Sequence, residues 1–201
     1  MITDSPLLTG ALPARPSDLP LPFYYVILSG NGLTSLPNEA WTIHGLDVSN
    51  NNIDGDIPST MNDSPNMVEL SLEGNQFTGS INEVLNMDSI EELSLADNMF
   101  SGTLSTTMGP NVYILDISNN NFEGSVPSEW CTAFGNQDYS ALAISGNELL
   151  TEFPGCLCDN VDVFYYSSAQ TCTGTSCDNC PLSVEGDIVV IDSSRRTLAD
   201  S

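Results

Sequence analysis

One pattern recurs six times along this 201-residue chain, and nothing else in the sequence restricts its fold so tightly. An apolar residue is followed by a second three places on, a third two further, an Asn three beyond that and another apolar residue two later. The copies read Phe23, Val26, Leu28, Asn31 and Leu33; Ile43, Leu46, Val48, Asn51 and Ile53; Met67, Leu70, Leu72, Asn75 and Phe77. They continue as Ile90, Leu93, Leu95, Asn98 and Phe100; Val112, Leu115, Ile117, Asn120 and Phe122; Tyr139, Leu142, Ile144, Asn147 and Leu149. Successive asparagines stand 20, 24, 23, 22 and 27 residues apart. A unit of that length cannot bury its apolar face alone, so neighbouring units must stack into a solenoid.

Each residue type in the unit has a physical task. An apolar pair in alternation, such as Leu70 and Leu72, turns one face of a short strand inward, and stacked units line these strands up as a parallel sheet. The Asn carries both a donor and an acceptor, which can pair with backbone groups where the chain leaves the strand and no sheet partner reaches. Asn31, Asn51, Asn75, Asn98, Asn120 and Asn147 are therefore expected to form a structural ladder. Most copies go on with Gly and an aliphatic residue, as in Gly55 with Ile57-Pro58, Gly79 with Ile81, Gly102 with Leu104 and Gly124 with Val126-Pro127. Gly tolerates the unusual dihedrals of a bend, and the residues after it carry the chain along the far side in an extended path.

The unit LxxLxLxxNxFxGxIP resembles the plant-type extracellular leucine-rich-repeat family, over about residues 1–155. The resemblance implies a solenoid of the α/β class, a right-handed coil with a concave parallel sheet of about six strands and few or no regular helices on its convex side. It divides the chain into a degenerate amino-terminal repeat at 1–22, six repeats at 23–155, a cysteine-rich cap at 156–181 and a tail or linker at 182–201. Leu8 to Pro13 matches the second half of a unit, with Pro6 where the Asn belongs, so a longer protein is expected to continue upstream. Met1 to Gly10 carry neither the basic start nor the apolar run of a signal peptide.

Six cysteines, Cys131, Cys156, Cys158, Cys172, Cys177 and Cys180, gather at the end of the repeats. An even, clustered set points to disulfides and an oxidising compartment, with 15 possible connectivities. Zinc is the rival, but the one histidine, His44, is far away in sequence and the paired CxxC motifs of a zinc ribbon are absent. Asn62-Asp63-Ser64 is a glycosylation sequon weakened by Pro65 after it, and it adds modestly to an extracellular or cell-surface location.

Charge limits the partners. The 27 acidic residues face three arginines, Arg15, Arg195 and Arg196, and no lysine, for a formal charge of −24. Such a surface repels nucleic acid and anionic membranes. Residues flanking the buried pair of each strand are expected on the concave face, where Asp47, Glu69, Glu73, Glu92, Asp97 and Asp116 fall, with Ser71 and Ser94 between them. Strands about 4.8 Å apart place Glu69 beside Glu92, a repulsion of roughly 0.9 kcal/mol in water and about 3.5 at an effective dielectric of 20. A cation relieves it, so a basic or polar peptide or protein surface is the expected ligand. The competing reading is a solvated, idle charge cluster. Calcium lacks the alternating Asp and Asn spacing of a dedicated loop.

No catalytic set accompanies these residues. His44 stands alone, there is no GxSxG elbow, and two carboxylates on an open sheet have no water-excluding pocket. The chain is expected to be non-catalytic, free of cofactors and monomeric. The resemblance implies a ligand-binding ectodomain of a receptor-like or adhesion protein. A secreted inhibitor of cell-wall-degrading enzymes is the alternative. An ice-binding surface ranks lower, because the row Thr9, Thr34, Thr78 and Ser101 is interrupted by Asp54, Glu123 and Leu150.

Overall fold

The computed structural model describes residues 8–13, 25–39 and 42–180. Phe23, Pro6, the three arginines and the tail 182–201 lie outside the described residues. Within them the apolar pairs form seven short strands: β1 (Tyr25–Ile27), β2 (Gly45–Asp47), β3 (Glu69–Ser71), β4 (Glu92–Ser94), β5 (Ile114–Asp116), β6 (Ala141–Ala143) and β7 (Val163–Tyr165). They make one parallel sheet in strict sequence order, each strand pairing with the next. In register, Leu46, Leu70, Leu93, Leu115, Leu142 and Phe164 stack as one column into the core.

A second column, Val48, Leu72, Leu95, Ile117 and Ile144, is fully buried behind it. Phe77, Phe100 and Phe122 form a third, with ring centroids 5.9 and 6.5 Å apart and planes 6° and 13° from parallel. After these columns the chain runs into short parallel side strands. These fall into three separate sheets: Thr9–Ala11 with Gly32–Ser35, Asp54–Asp56 with Gln76–Thr78, and Ser101–Thr103 through Asn121–Ser125 and Leu149–Pro154 to Thr171–Thr173. Thr9 and Thr34 thus belong to a different sheet from Thr78, and Ser101 to a third.

The far side of the coil has little regular helix among the described residues. It holds α1 (Asn82–Leu85), α2 (Trp130–Gly135), α3 (Leu157–Asn160) and two 3-10 turns, Ser59–Asp63 and Cys177–Asn179. Trp130 is fully buried there, donating its ring N–H to Ser105 O at 2.9 Å and meeting Phe134 edge-on.

The Asn ladder couples each coil to the one before. Asn98 Nδ2 donates to Leu72 O, one coil back, at 3.0 Å and to its own coil at Leu95 O and Ala96 O, while its Oδ1 accepts Phe77 N–H at 2.9 Å. Asn51, Asn75, Asn120 and Asn147 repeat this arrangement. The residue before each ladder Asn has positive φ: Gly30, Asn50, Gly74, Asp97, Asn119 and Gly146, at 53–70°. Only Gly, Asn and Asp stand there, the types that enter the left-handed region most cheaply.

Three departures from the sequence pattern are informative. The sheet has a seventh strand, β7, inside the segment assigned to the cap. Val161, Phe164 and Tyr166 keep the apolar spacing, but the ladder place is taken by Gln170, one residue late. Its longer side chain still donates to Ile144 O at 3.1 Å and accepts Ser167 N–H at 3.0 Å. In the sixth unit Tyr139 is 50% and Leu149 is 59% exposed, while Ser140 and Leu150 are buried at 1% each. Both ends of that unit are shifted by one residue, because Ser140 N–H is held by Asp162 Oδ2 at 2.7 Å and Glu148 adds a residue after the ladder Asn147.

Candidate ligand-binding face

The open face of the sheet is built from the residues that alternate with the buried columns. Glu69 and Glu92 are register partners on β3 and β4, and Ser71 and Ser94 are partners one step on. The acids do not stand free in solvent: Glu69 is 5% exposed, Glu92 6% and Asp116 2%. Strands this close pack their outward side chains shoulder to shoulder, and two tyrosines reach over them. Tyr25 OH donates to Glu69 Oε1 at 3.1 Å, crossing the intervening strand β2 over Gly45. Any Cβ at position 45 would collide with the Tyr25 ring, so Gly45 is what lets Tyr25 lie there. Tyr113, just before β5, donates its hydroxyl to Glu92 Oε1 from the opposite side.

The remaining acids divide into different roles. Asp47 Oδ1 accepts Ser49 N–H at 2.9 Å, and Asp116 Oδ1 accepts Ser118 N–H at 2.9 Å and its hydroxyl at 2.6 Å. Both thereby stabilise the exit of their own strand. Asp97 is a turn residue at φ 53°. Glu73 is half-buried and accepts the Ser94 hydroxyl at 3.3 Å, which joins it to the central pair. The sequence placed Glu69 beside Glu92 at an acidic centre with Glu73 and Asp97; the structure joins Glu73 to that pair and makes Asp97 a turn residue. What sequence reasoning missed is the tyrosine pair, whose one sequence signal is a glycine on the strand between Tyr25 and Glu69.

Beyond β4 the face changes character. Ile114, Ala141 and Ala143 form an apolar cluster separate from the core, with Tyr113, Val163 and Tyr165 packed against it. Acidic and apolar-aromatic halves therefore lie side by side along one sheet, with Tyr113 belonging to both.

At the carboxyl end the disulfides are Cys131–Cys156, Cys158–Cys180 and Cys172–Cys177. The sulfurs of Cys158, Cys172 and Cys180 lie within 4.8 Å of one another, close enough for one metal ion, but all three are committed to disulfides. Asn62 is exposed on the Ser59–Asp63 turn, its amide donating to Glu83 Oε2 at 3.1 Å, and Ser64 of the sequon is fully buried. No helix among the described residues is long and apolar enough to cross a membrane.

Residues 42–63 and 111–133 match the family model described as Leucine Rich Repeat. The coil geometry extends the same unit over the intervening and flanking strands. The chain has the leucine-rich-repeat fold. Among curated relatives, Receptor-like protein 35 of Arabidopsis thaliana is 32% identical over 133 residues, covering 65% of this chain and 12% of its own length. Among solved structures, Pollen Receptor Kinase 3 aligns at 25% identity and a TM-score of 0.50, covering 60% of this chain and 59% of that one. The Arabidopsis receptor kinase HAESA, solved with the peptide hormone IDA and the co-receptor SERK1, has the same fold at 23% identity and a TM-score of 0.61. That alignment covers 76% of this chain and 26% of HAESA. This chain's matches are receptor-like proteins and receptor repeat arrays. Its three disulfides fit an oxidising, extracellular compartment. The chain spans about an eighth of the length of the curated relative it matches.

Proposed function

We propose that this chain is a ligand-binding stretch of a receptor-like ectodomain, which takes an extended peptide or protein segment across its open sheet. A basic side chain of the ligand sits against Glu69 and Glu92, and an apolar one lies on the Ile114, Ala141 and Ala143 patch. The observation that carries this reading is the pair of adjacent carboxylates at the sheet centre, met from either side by Tyr25 and Tyr113, with the apolar cluster next to it. Two like charges this close favour a cation between them, and the tyrosines hold the carboxylate oxygens in place for it. The Tyr25 ring, 41% exposed, is also available to stack on a guanidinium. The presence of a peptide hormone in the HAESA complex fits a peptide-sized ligand on this fold.

The test is a positional-scanning library of short extended peptides, screened against the intact chain and against the Glu69→Gln, Glu92→Gln double variant. The intact chain should select Arg or Lys a few residues from an aliphatic or aromatic residue. The double variant should lose that selection, with affinity falling about ten-fold or more, as expected for charge-assisted hydrogen bonds. Equal binding of basic and acidic peptides, or no change in the double variant, removes the acidic pair from the function. Asn62 is proposed as a glycan acceptor on the far side of the coil. Expression in a secretory eukaryotic cell should add a mass that peptide N-glycosidase removes and that is absent from Asn62→Gln.

A further inference from the structure

Four of the six cysteines form a cluster that the function proposed above does not use. Cys158 is bonded to Cys180 and Cys172 to Cys177, yet Cys172 Sγ and Cys180 Sγ, from different disulfides, approach to 3.6 Å. With Cys158 Sγ these two sulfurs form a triangle, all within 4.8 Å of one another. Cys158, Cys172 and Cys180 are partly buried and packed against the hydrophobic core. Cys177, half-buried like the others, is not part of that packing; it begins the surface turn Cys177–Asn179, and its Sγ makes a solvent-exposed contact with Gly174 O at 3.6 Å. One disulfide thus has an outer and an inner sulfur, and the inner one touches a second disulfide. Thiol–disulfide exchange goes to the sulfur that a thiolate can reach and expels the other.

We infer that this cluster is an exchange relay, through which an external low-molecular-weight thiol converts the Cys158–Cys180 bond into a Cys172–Cys180 bond. The thiolate attacks Cys177 Sγ, forming a mixed disulfide there; the Cys172–Cys177 bond breaks and its electron pair leaves with Cys172. The freed Cys172 thiolate rotates about its Cα–Cβ bond, attacks Cys180 Sγ and forms Cys172–Cys180. The Cys158–Cys180 bond breaks and Cys158 leaves as a thiolate, which takes up the proton that the external thiol had lost. One thiol is consumed, one is produced, and the number of disulfides is unchanged.

The conversion alters what the cap holds. Cys158 lies on α3, which the Cys131–Cys156 disulfide and the Asn160 Nδ2 bond to Cys131 O, at 2.7 Å, tie to α2. Before exchange, residue 180 is anchored to α3; afterwards it is anchored to the side strand Thr171–Thr173. The sheet is untouched, so the relay releases the end of the cap without unfolding the coil.

The oxidised full chain is treated with a small excess of reduced glutathione at pH 8, quenched with acid, capped with N-ethylmaleimide and mapped by mass spectrometry. The expected product has a Cys172–Cys180 link, glutathione on Cys177 and N-ethylmaleimide on Cys158, with Cys131–Cys156 intact. Finding Cys158–Cys180 intact while Cys172 and Cys177 are capped overturns the relay, as does a chain in which none of the four cysteines reacts. The Cys172→Ser, Cys177→Ser variant keeps Cys158–Cys180 and should release Cys158 at least ten-fold more slowly. Release at the parent rate means that glutathione attacks Cys158–Cys180 directly, and the relay is again overturned.

Discussion

Replacing Asn98 with Ala tests the ladder at its centre. The side chain is 8% exposed and serves four backbone groups: its amide donates to Leu72 O, Leu95 O and Ala96 O, and its oxygen accepts Phe77 N–H. Two amide hydrogens are shared among the three carbonyls, so the loss is counted as about three hydrogen bonds, at about 1 kcal/mol each. Phe77 N–H is in addition left buried without a partner, which brings the cost to about 3–5 kcal/mol. That is a large share of the stability of an ordinary domain, about 5–15 kcal/mol. Urea unfolding followed by circular dichroism should show the midpoint falling with little change in slope. Asn98→Asp should cost at least as much, because a carboxylate keeps the acceptor for Phe77 but sets negative charge against three carbonyls. Exposed Asn121, which does not belong to the ladder, should tolerate Ala within about 0.5 kcal/mol. A loss below about 1 kcal/mol for Asn98→Ala would refute the claim that the amide is what joins consecutive coils.

Gly45→Ala places a methyl group against the Tyr25 ring, and because Gly45 is not among the positive-φ residues the backbone accepts it. Tyr25 should swing off Glu69, seen as a shift of its ring resonances by NMR, while stability changes by less than about 1 kcal/mol; an unmoved ring contradicts the contact. Removing the Cys131–Cys156 disulfide, which spans a sequence separation of 25, should cost about 3.5 kcal/mol by chain entropy. Removing Cys172–Cys177, with a separation of 5, should cost about 2 kcal/mol. Equal losses, read from the two thermal midpoints under oxidising conditions, contradict that ordering. Hydrogen bonds from Ser176, chiefly, and from Asn179 hold the Asp159 carboxyl below its ordinary value. A carboxylate favoured in the folded state stabilises above the unfolded range, and that contribution disappears as pH falls through the lowered folded pKa. Asn179→Ala should therefore move Asp159 upward in a carboxyl NMR titration, and an unchanged titration removes that bond from the account.

The recurring unit determined most of the fold because its constraints are local and repeat every coil. Leu70 and Leu72 must face inward, Asn75 must meet backbone groups at the strand exit, and a Gly, Asn or Asp must precede it to enter the left-handed region. The same one-dimensional template failed where a residue is displaced by one place, at Tyr139, Leu149 and Gln170. Which neighbour fills the gap depends on side-chain length and on contacts with another coil.

Only the tertiary structure decided the character of the face. The repeat spacing put six acids at outward places and set Glu69 beside Glu92, but did not say what each carboxylate meets. Parallel register then sorted them: Asp47 and Asp116 are turned to their own Ser49 and Ser118, Asp97 to its backbone bend, and Glu69 and Glu92 to each other and to tyrosines from other coils. Tyr25 and Glu69 are 44 residues apart, and what joins them is the register of three strands and a missing Cβ at Gly45. The cysteine pairing belongs to the same class. The spacing of six thiols bounds the possibilities, but which sulfurs meet is set by how α2, α3 and the last turn pack, a matter of distances between coils that a linear pattern does not contain.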